Sequence, residues 1–289
     1  MRTAINIILL ALLLTAQVAS SQTRKSLQWI GGPTFVLHLG SFKILTDPML
    51  GPVSDTGFMI KKHPSTGQLN APIKRLAPPA PLDTSRIDLL LISHLHADHF
   101  DATAKSFLQK QLPVIAPASN RDMLVQWGFH NTRGLPWTDT VLLAKGAETL
   151  RIIAIKARHA AKEPLNSELG EVNGYVLEYK SGRSSYRIYW SGDTVWFDDM
   201  QNLLQYGRID LFIPHMGAVG ADGHIGRRGL NTAETLQIIR LLQPSLIIPV
   251  HHTTFTHYVE PVSVLYNAVH QTPFKKRIVK VKEGKIVSL

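Results

Sequence analysis

Short apolar runs, broken by glycine, proline and polar residues, recur along most of the chain. Residues 27–30, 35–39 and 42–45 read as strands, and in the second of these Phe35, Leu37 and Leu39 alternate with Val36 and His38 in the manner of a half-buried strand. Residues 51–84 are rich in glycine and proline and show no periodicity, which predicts a long loop. The run 87–92 predicts a buried strand. Asp101 is placed to cap a helix over 102–111 that stops before Pro113. A strand at 114–116 and a short helix over 120–127, closed by Gly128, follow. Residues 150–156 alternate into a strand, and 175–179 with 186–190 predict a hairpin about Ser181-Gly182. The run 210–214 reads as a buried strand. A helix over 232–242 is marked by Ala233, Leu236 and Ile239 at helical spacing and is stopped by Pro244. A strand at 246–250, a helix over 261–270 and strands at 278–281 and 286–289 complete an α/β pattern.

The N-terminus has a different character. Arg2 precedes an almost wholly apolar stretch at 5–14, and Ala16-Gln17-Val18-Ala19-Ser20-Ser21 supplies small residues for cleavage. This predicts a signal peptide over 1–21, a domain over 22–289, and a secreted or periplasmic mature protein. The apolar stretch is too short for a stable membrane span, which needs roughly 20 residues.

Composition narrows the chemistry. With 289 residues and 44% apolar content the chain can bury a substantial core. It has no cysteine, which excludes a disulfide framework, a thiolate metal site and a thiol nucleophile. The formal charge is +10, but Lys61-Lys62, Arg227-Arg228 and Lys275-Lys276-Arg277 are scattered rather than joined in a tract. That argues for solvated basic faces, with attraction to an anionic substrate as the lesser reading, and gives no sign of a nucleic-acid surface.

The densest chemistry follows the strand at 87–92. His94, His96, Asp98 and His99 form an H-x-H-x-D-H run at a strand end and the turn after it. His94 and His96 lie two apart, so in extended chain they point the same way and can grip one ion, whereas Asp98 and His99 face a second position. Imidazole and carboxylate without thiolate suit zinc and tolerate manganese or iron. Further strand ends carry His159, Asp193, His215 and His251, each after an apolar run. Convergence of strand ends on one sheet edge is what metal chemistry requires.

These residues resemble the metallo-β-lactamase fold superfamily of hydrolases: the run at 94–99, then His159, Asp193 in Ser-Gly-Asp-Thr, and His251 after Pro249-Val250. Trp29-Ile30-Gly31 with Thr46-Asp47-Pro48 is similar to the branch holding the L-ascorbate-6-phosphate lactonases and the phospholipase D acting on N-acyl-phosphatidylethanolamine. That branch usually has histidine after the glycine, where this chain has Gly32-Pro33. The resemblance implies a four-layered αββα sandwich with two divalent metal ions, most simply zinc, at one edge. His94, His96 and His159 would hold the first, Asp98, His99 and His251 the second, and Asp193 would bridge them. A water activated by the ions would attack an ester, lactone or phosphodiester in a small-molecule or lipid-like substrate, with Asp98 orienting it. A β-lactamase and a non-catalytic metal-binding protein are the alternatives. Asp47 reads equally as an acceptor for a ligand imidazole or as a turn residue before Pro48. His215 is a candidate for touching substrate or donating a proton, against the plainer reading of a surface histidine. His252, next to His251, is expected to line the cleft or merely to pack.

Overall fold

The structure, a computed structural model, describes residues 25–57, 72–220 and 226–289. The expected signal segment and the start at Gln22 lie outside the described residues, as does part of the 51–84 loop. Strands β1 (Lys25–Gly31), β2 (Thr34–Leu39), β3 (Phe42–Thr46), β4 (Leu89–Leu91), β5 (Val114–Ala116) and β6 (Thr132–Gly134) are neighbours in that order. Strands β7 (Thr140–Lys145), β8 (Glu148–Lys156), β9 (Asn173–Ser181), β10 (Ser184–Trp190), β11 (Leu211–Ile213) and β12 (Leu246–Ile247) form a second sheet. The last strand, β13 (Ile286–Ser288), returns to the first sheet and pairs antiparallel with β1.

Alternation along the strands builds three cores. Phe35, Leu37, Ile44, Leu89 and Leu91 meet Ile152, Tyr175, Leu177, Ile188, Trp190, Leu211 and Ile213 between the sheets. The intervening Val36, Leu45, Leu90 and Val114 face outwards and are covered by Ala104 of α1 (Ala102–Phe107) and Leu124 of α2 (Arg121–Gln126). A five-residue helix, α3 (Leu165–Leu169), follows β8. On the far side Ile153, Val176, Tyr189 and Phe212 pack under Ile238 and Ile239 of α4 (Thr232–Leu242) and Leu265 of α5 (Val262–His270). The order helix, sheet, sheet, helix is the expected four-layered sandwich. Each large apolar side chain taken fully inside contributes about 1.5–3 kcal/mol, so the central core dominates cohesion.

α4 occupies the predicted span, and a reciprocal pair of hydrogen bonds between Asn231 and Glu234 fixes its start. Asp101 caps α1 by accepting from the Ala104 N–H, but Leu108 is already extended and the helix stops short of 111. At 278–281 no strand forms. Ile278 makes a single parallel bridge to Ile247, and β12 itself is only two residues long.

Strand direction explains where the chemistry gathers. β3, β4, β5 and β6 run parallel. β8 and β10 are both antiparallel to β9, and β10, β11 and β12 are parallel, so β8 and β10 to β12 all end at the same side. Asn173 N–H donates to the Ser93 carbonyl and the Tyr175 hydroxyl to the Ile92 carbonyl, joining the sheets at that edge.

Candidate metal centre

Asp47 follows β3 and the run Ser93–His99 follows β4. From the second sheet, His159 follows β8, Asp193 follows β10, His215 follows β11 and His251 lies beyond β12. The histidines and aspartates among them are buried except His96, which is partly open. The turn carrying Asp193 requires Gly192: its φ is +56°, and a Cβ there would sit 2.6 Å from the Asn173 carbonyl oxygen. Asp47 (φ +31°) and His251 (φ +57°) also take left-handed conformations without being glycine, the local strain expected where packing dictates where a side chain points.

Five imidazoles, those of His94, His96, His99, His159 and His251, are tied on their outer side, which turns the other nitrogen inwards. His99 Nδ1–H donates to Asp47 Oδ2 at 2.7 Å, and Ser93 supports the same carboxylate through its backbone N–H (2.6 Å) and hydroxyl (2.5 Å). With its proton committed to Asp47, the Ser93 oxygen accepts from His94 Nδ1 at 3.0 Å. His96 Nε2 donates to the Leu169 carbonyl (3.1 Å), His159 Nδ1 to the Arg228 carbonyl (2.9 Å) and His251 Nδ1 to the Met216 carbonyl (3.0 Å). Carbonyls only accept, so these tautomers are fixed by their partners. Asp47 therefore orients a candidate ligand rather than merely turning the chain, the arrangement that holds metal-binding histidines in place.

The inward atoms fit cations. His94 Nε2, His99 Nε2 and His251 Nε2 are buried without a hydrogen-bond partner, as is Asp98 Oδ1. His96 Nδ1 and His159 Nε2 face each other at 3.1 Å although both outer N–H groups are already spent. Two bare lone pairs that close repel unless a cation lies between them. The ligand atoms form overlapping groups with members within 4.8 Å of one another: His94, His96 and His159; His99, Asp193, His215 and His251; and Asp98, His251 and His257. Asp193 stands between them, with Oδ2 3.4 Å from His99 Nε2 and 3.9 Å from His159 Nε2, and Oδ1 3.6 Å from His251 Nε2.

Charge points the same way. Burial pushes His94 well below the ordinary histidine range and His96 down to about 3, with neighbouring imidazoles adding to the effect. Both therefore stay neutral, which is the ligand form. Burial would raise Asp98 and Asp193, but His99 and His251 hold both carboxyls well below the usual range. His99 is opposed by burial yet raised well above its ordinary value by Asp193, Asp98 and Asp47. A divalent cation held here would supply positive charge in place of a proton on His99.

His215 stands apart from its sequence reading, whereas His252 packs, one of the two roles expected of it. His215 accepts from the Trp190 Nε1–H at 2.7 Å through Nε2, so its Nδ1–H donates to Asp193 Oδ1 at 2.8 Å. It has no lone pair left for a metal and is wholly buried. His252 lies against Trp29 with ring centroids 4.6 Å apart, and its Nε2 is 3.3 Å from the Pro249 carbonyl. His257, which sequence reasoning passed over, brings Nε2 to 3.3 Å from Asp98 Oδ2. It follows no apolar run and sits in the turn after His251; only the histidine-rich spelling of 251–257 hints at it.

The profile of a family described as "Beta-lactamase superfamily domain" matches residues 43–252, a span that includes every candidate ligand from His94 to His251. A UPF0173 metal-dependent hydrolase of Polaromonas sp. is 26% identical over 247 residues, covering 82% of this chain and 80% of that one. The mitochondrial N-acyl-phosphatidylethanolamine-hydrolyzing phospholipase D of Saccharomyces cerevisiae is 24% identical over 269 residues, 89% of this chain but 54% of the yeast protein. Among solved structures, the isothiocyanate hydrolase from Delia radicum gut bacteria is similar with a TM-score of 0.76 at 22% identity, covering 91% of this chain and 98% of that one. At that identity the likeness speaks for the fold alone.

Proposed function

The chain belongs to the beta-lactamase superfamily and is a metal-dependent hydrolase of it, and from that premise we propose that it works with two divalent ions on an ester, lactone or phosphodiester. The observation that carries this is Asp193, whose carboxylate faces His99 and His159 through one oxygen and His251 through the other. His94, His96 and His159 would hold one ion and Asp98, His99 and His251 the other, with Asp193 shared. The donor set, imidazole and carboxylate only, favours zinc. When bound, such a pair lowers the pKa of a water towards neutrality and offsets negative charge developing on the substrate oxygen.

The protein's own groups then have separate tasks. Asp98 stays ionised under the pull of His99, and so can orient a water. Asp47 and Ser93 keep the His99 and His94 rings in register. Trp190 and His215 hold Asp193 from below, which restricts carboxylate rotation. His96 and His257 are the partly open histidines of the site, so substrate approaches from their side. Attraction to an anionic molecule is the lesser reading of the net charge of +10. The yeast relative is named for hydrolysing N-acyl-phosphatidylethanolamine, which keeps lipid phosphodiesters among the candidates.

Elemental analysis of metal-replete protein, followed by an activity screen over phosphodiesters, lactones and β-lactams, tests the reading. The expected result is two ions per chain and turnover in one of the first two classes. Saturation at one ion per chain, or turnover confined to β-lactams, would overturn it.

A further inference from the structure

His257 belongs to neither of the two ion sets proposed above, yet its surroundings match theirs. Its side chain is 9% exposed, and both ring nitrogens lie buried without a hydrogen-bond partner. Tyr258 and Phe255 flank the ring, with centroids 4.5 and 5.8 Å away. Ring nitrogens that are both shut off from water and unbonded are costly, since a buried polar group left unsatisfied costs about 1–3 kcal/mol. The atom it approaches is Asp98 Oδ2, at 3.3 Å, but the pair is not aligned as a hydrogen bond. The same carboxylate oxygen is 3.9 Å from His251 Nε2.

The 3.3 Å between His257 Nε2 and Asp98 Oδ2 is the spacing of two atoms around a shared ion. Ligands bound to one zinc at about 2.0–2.1 Å sit roughly 3–3.4 Å from each other at tetrahedral or right angles. Asp98, His251 and His257 bring one ligand atom each to within 4.8 Å of one another. We propose that His257 is a further protein ligand of the cation position served by Asp98 and His251. The inference rests on the two-ion reading above and extends it: this position is held by an imidazole from the 253–258 turn in addition to the strand-end residues. The turn is anchored independently of any ion, because Thr256 N–H donates to the Lys74 carbonyl and Val259 N–H to the Gly217 carbonyl. His257 is thus presented by fixed backbone.

The rival role for His257 is to steady Asp98 from outside, and affinity alone does not separate the two, because loss of an outer partner also weakens metal binding by about 10–100-fold. Cobalt(II) substitution does. Wild type, His257→Ala and His257→Gln are titrated with cobalt, reading visible absorption and competition with a chelator. The expected result is two ions in wild type, and in both variants one ion held as before and the other weakened at least tenfold. The visible bands of the weakened ion change in shape and intensity, as for a lower ligand count. Glutamine can still donate to Asp98, so recovery of the wild-type spectrum and affinity in His257→Gln overturns the proposal. So does an unchanged spectrum in His257→Ala. The ion held by His94, His96 and His159 reports that each variant is folded, and should alanine disturb the turn, glutamine decides. A wild type that never takes a second ion overturns the two-ion reading instead, and this inference with it.

Discussion

Asp193→Asn is expected to leave a folded protein that has lost most of its activity and at least one of its ions. Asparagine keeps the shape and an oxygen to accept from His215 Nδ1–H, so the Trp190–His215 support survives. What disappears is the charge between the two histidine groups and the second acceptor facing His99 and His159. Removing an outer partner of a ligand already costs about 10–100-fold in affinity or activity. The loss of a shared ligand should exceed the upper end of that range in kcat/KM. Metal content and kinetics of the variant check the expectation, with a thermal melt to establish folding. Two ions retained with activity within tenfold of wild type would remove Asp193 from its proposed position.

The second large effect separates His251 from His252. His251→Ala should release the ion on the Asp98 side and depress turnover strongly, because the bare Nε2 at 3.6 Å from Asp193 and 3.9 Å from Asp98 is lost. His252→Ala should keep both ions and lower the melting temperature, because it empties a buried site against Trp29. The two rings diverge for a reason alternation does not supply. β12 has ended by Ile247, and His251 (φ +57°) and Thr253 (φ +62°) turn the chain through left-handed conformations. Metal content of the two variants decides, and a metal lost from His252→Ala but kept by His251→Ala reverses the roles.

The sandwich was legible because its strands are buried on both faces and appear as apolar runs, such as 87–92, 186–190 and 210–214. The candidate ligands were legible for the same reason, since they follow the ends of such runs. β7 escaped because only one side is covered: Val141 is buried while Leu142 is 64% exposed. The outer supports were invisible in principle. That Asp47 holds His99, and that Trp190 fixes His215, are facts of contact across 52 and 25 residues. His257 was missed because its position depends on a turn whose anchors, Lys74 and Gly217, come from elsewhere in the chain.

The pairing of β13 with β1 has a consequence for how the protein comes into being. One sheet offers Asp47, His94, His96, Asp98 and His99, the other His159, Asp193 and His251. Neither half owns a complete grip on an ion, and the first sheet waits for residues 286–288 before its edge is closed. Such long-range closures are slow steps in folding. The candidate ligand set is therefore complete only once the two halves have docked.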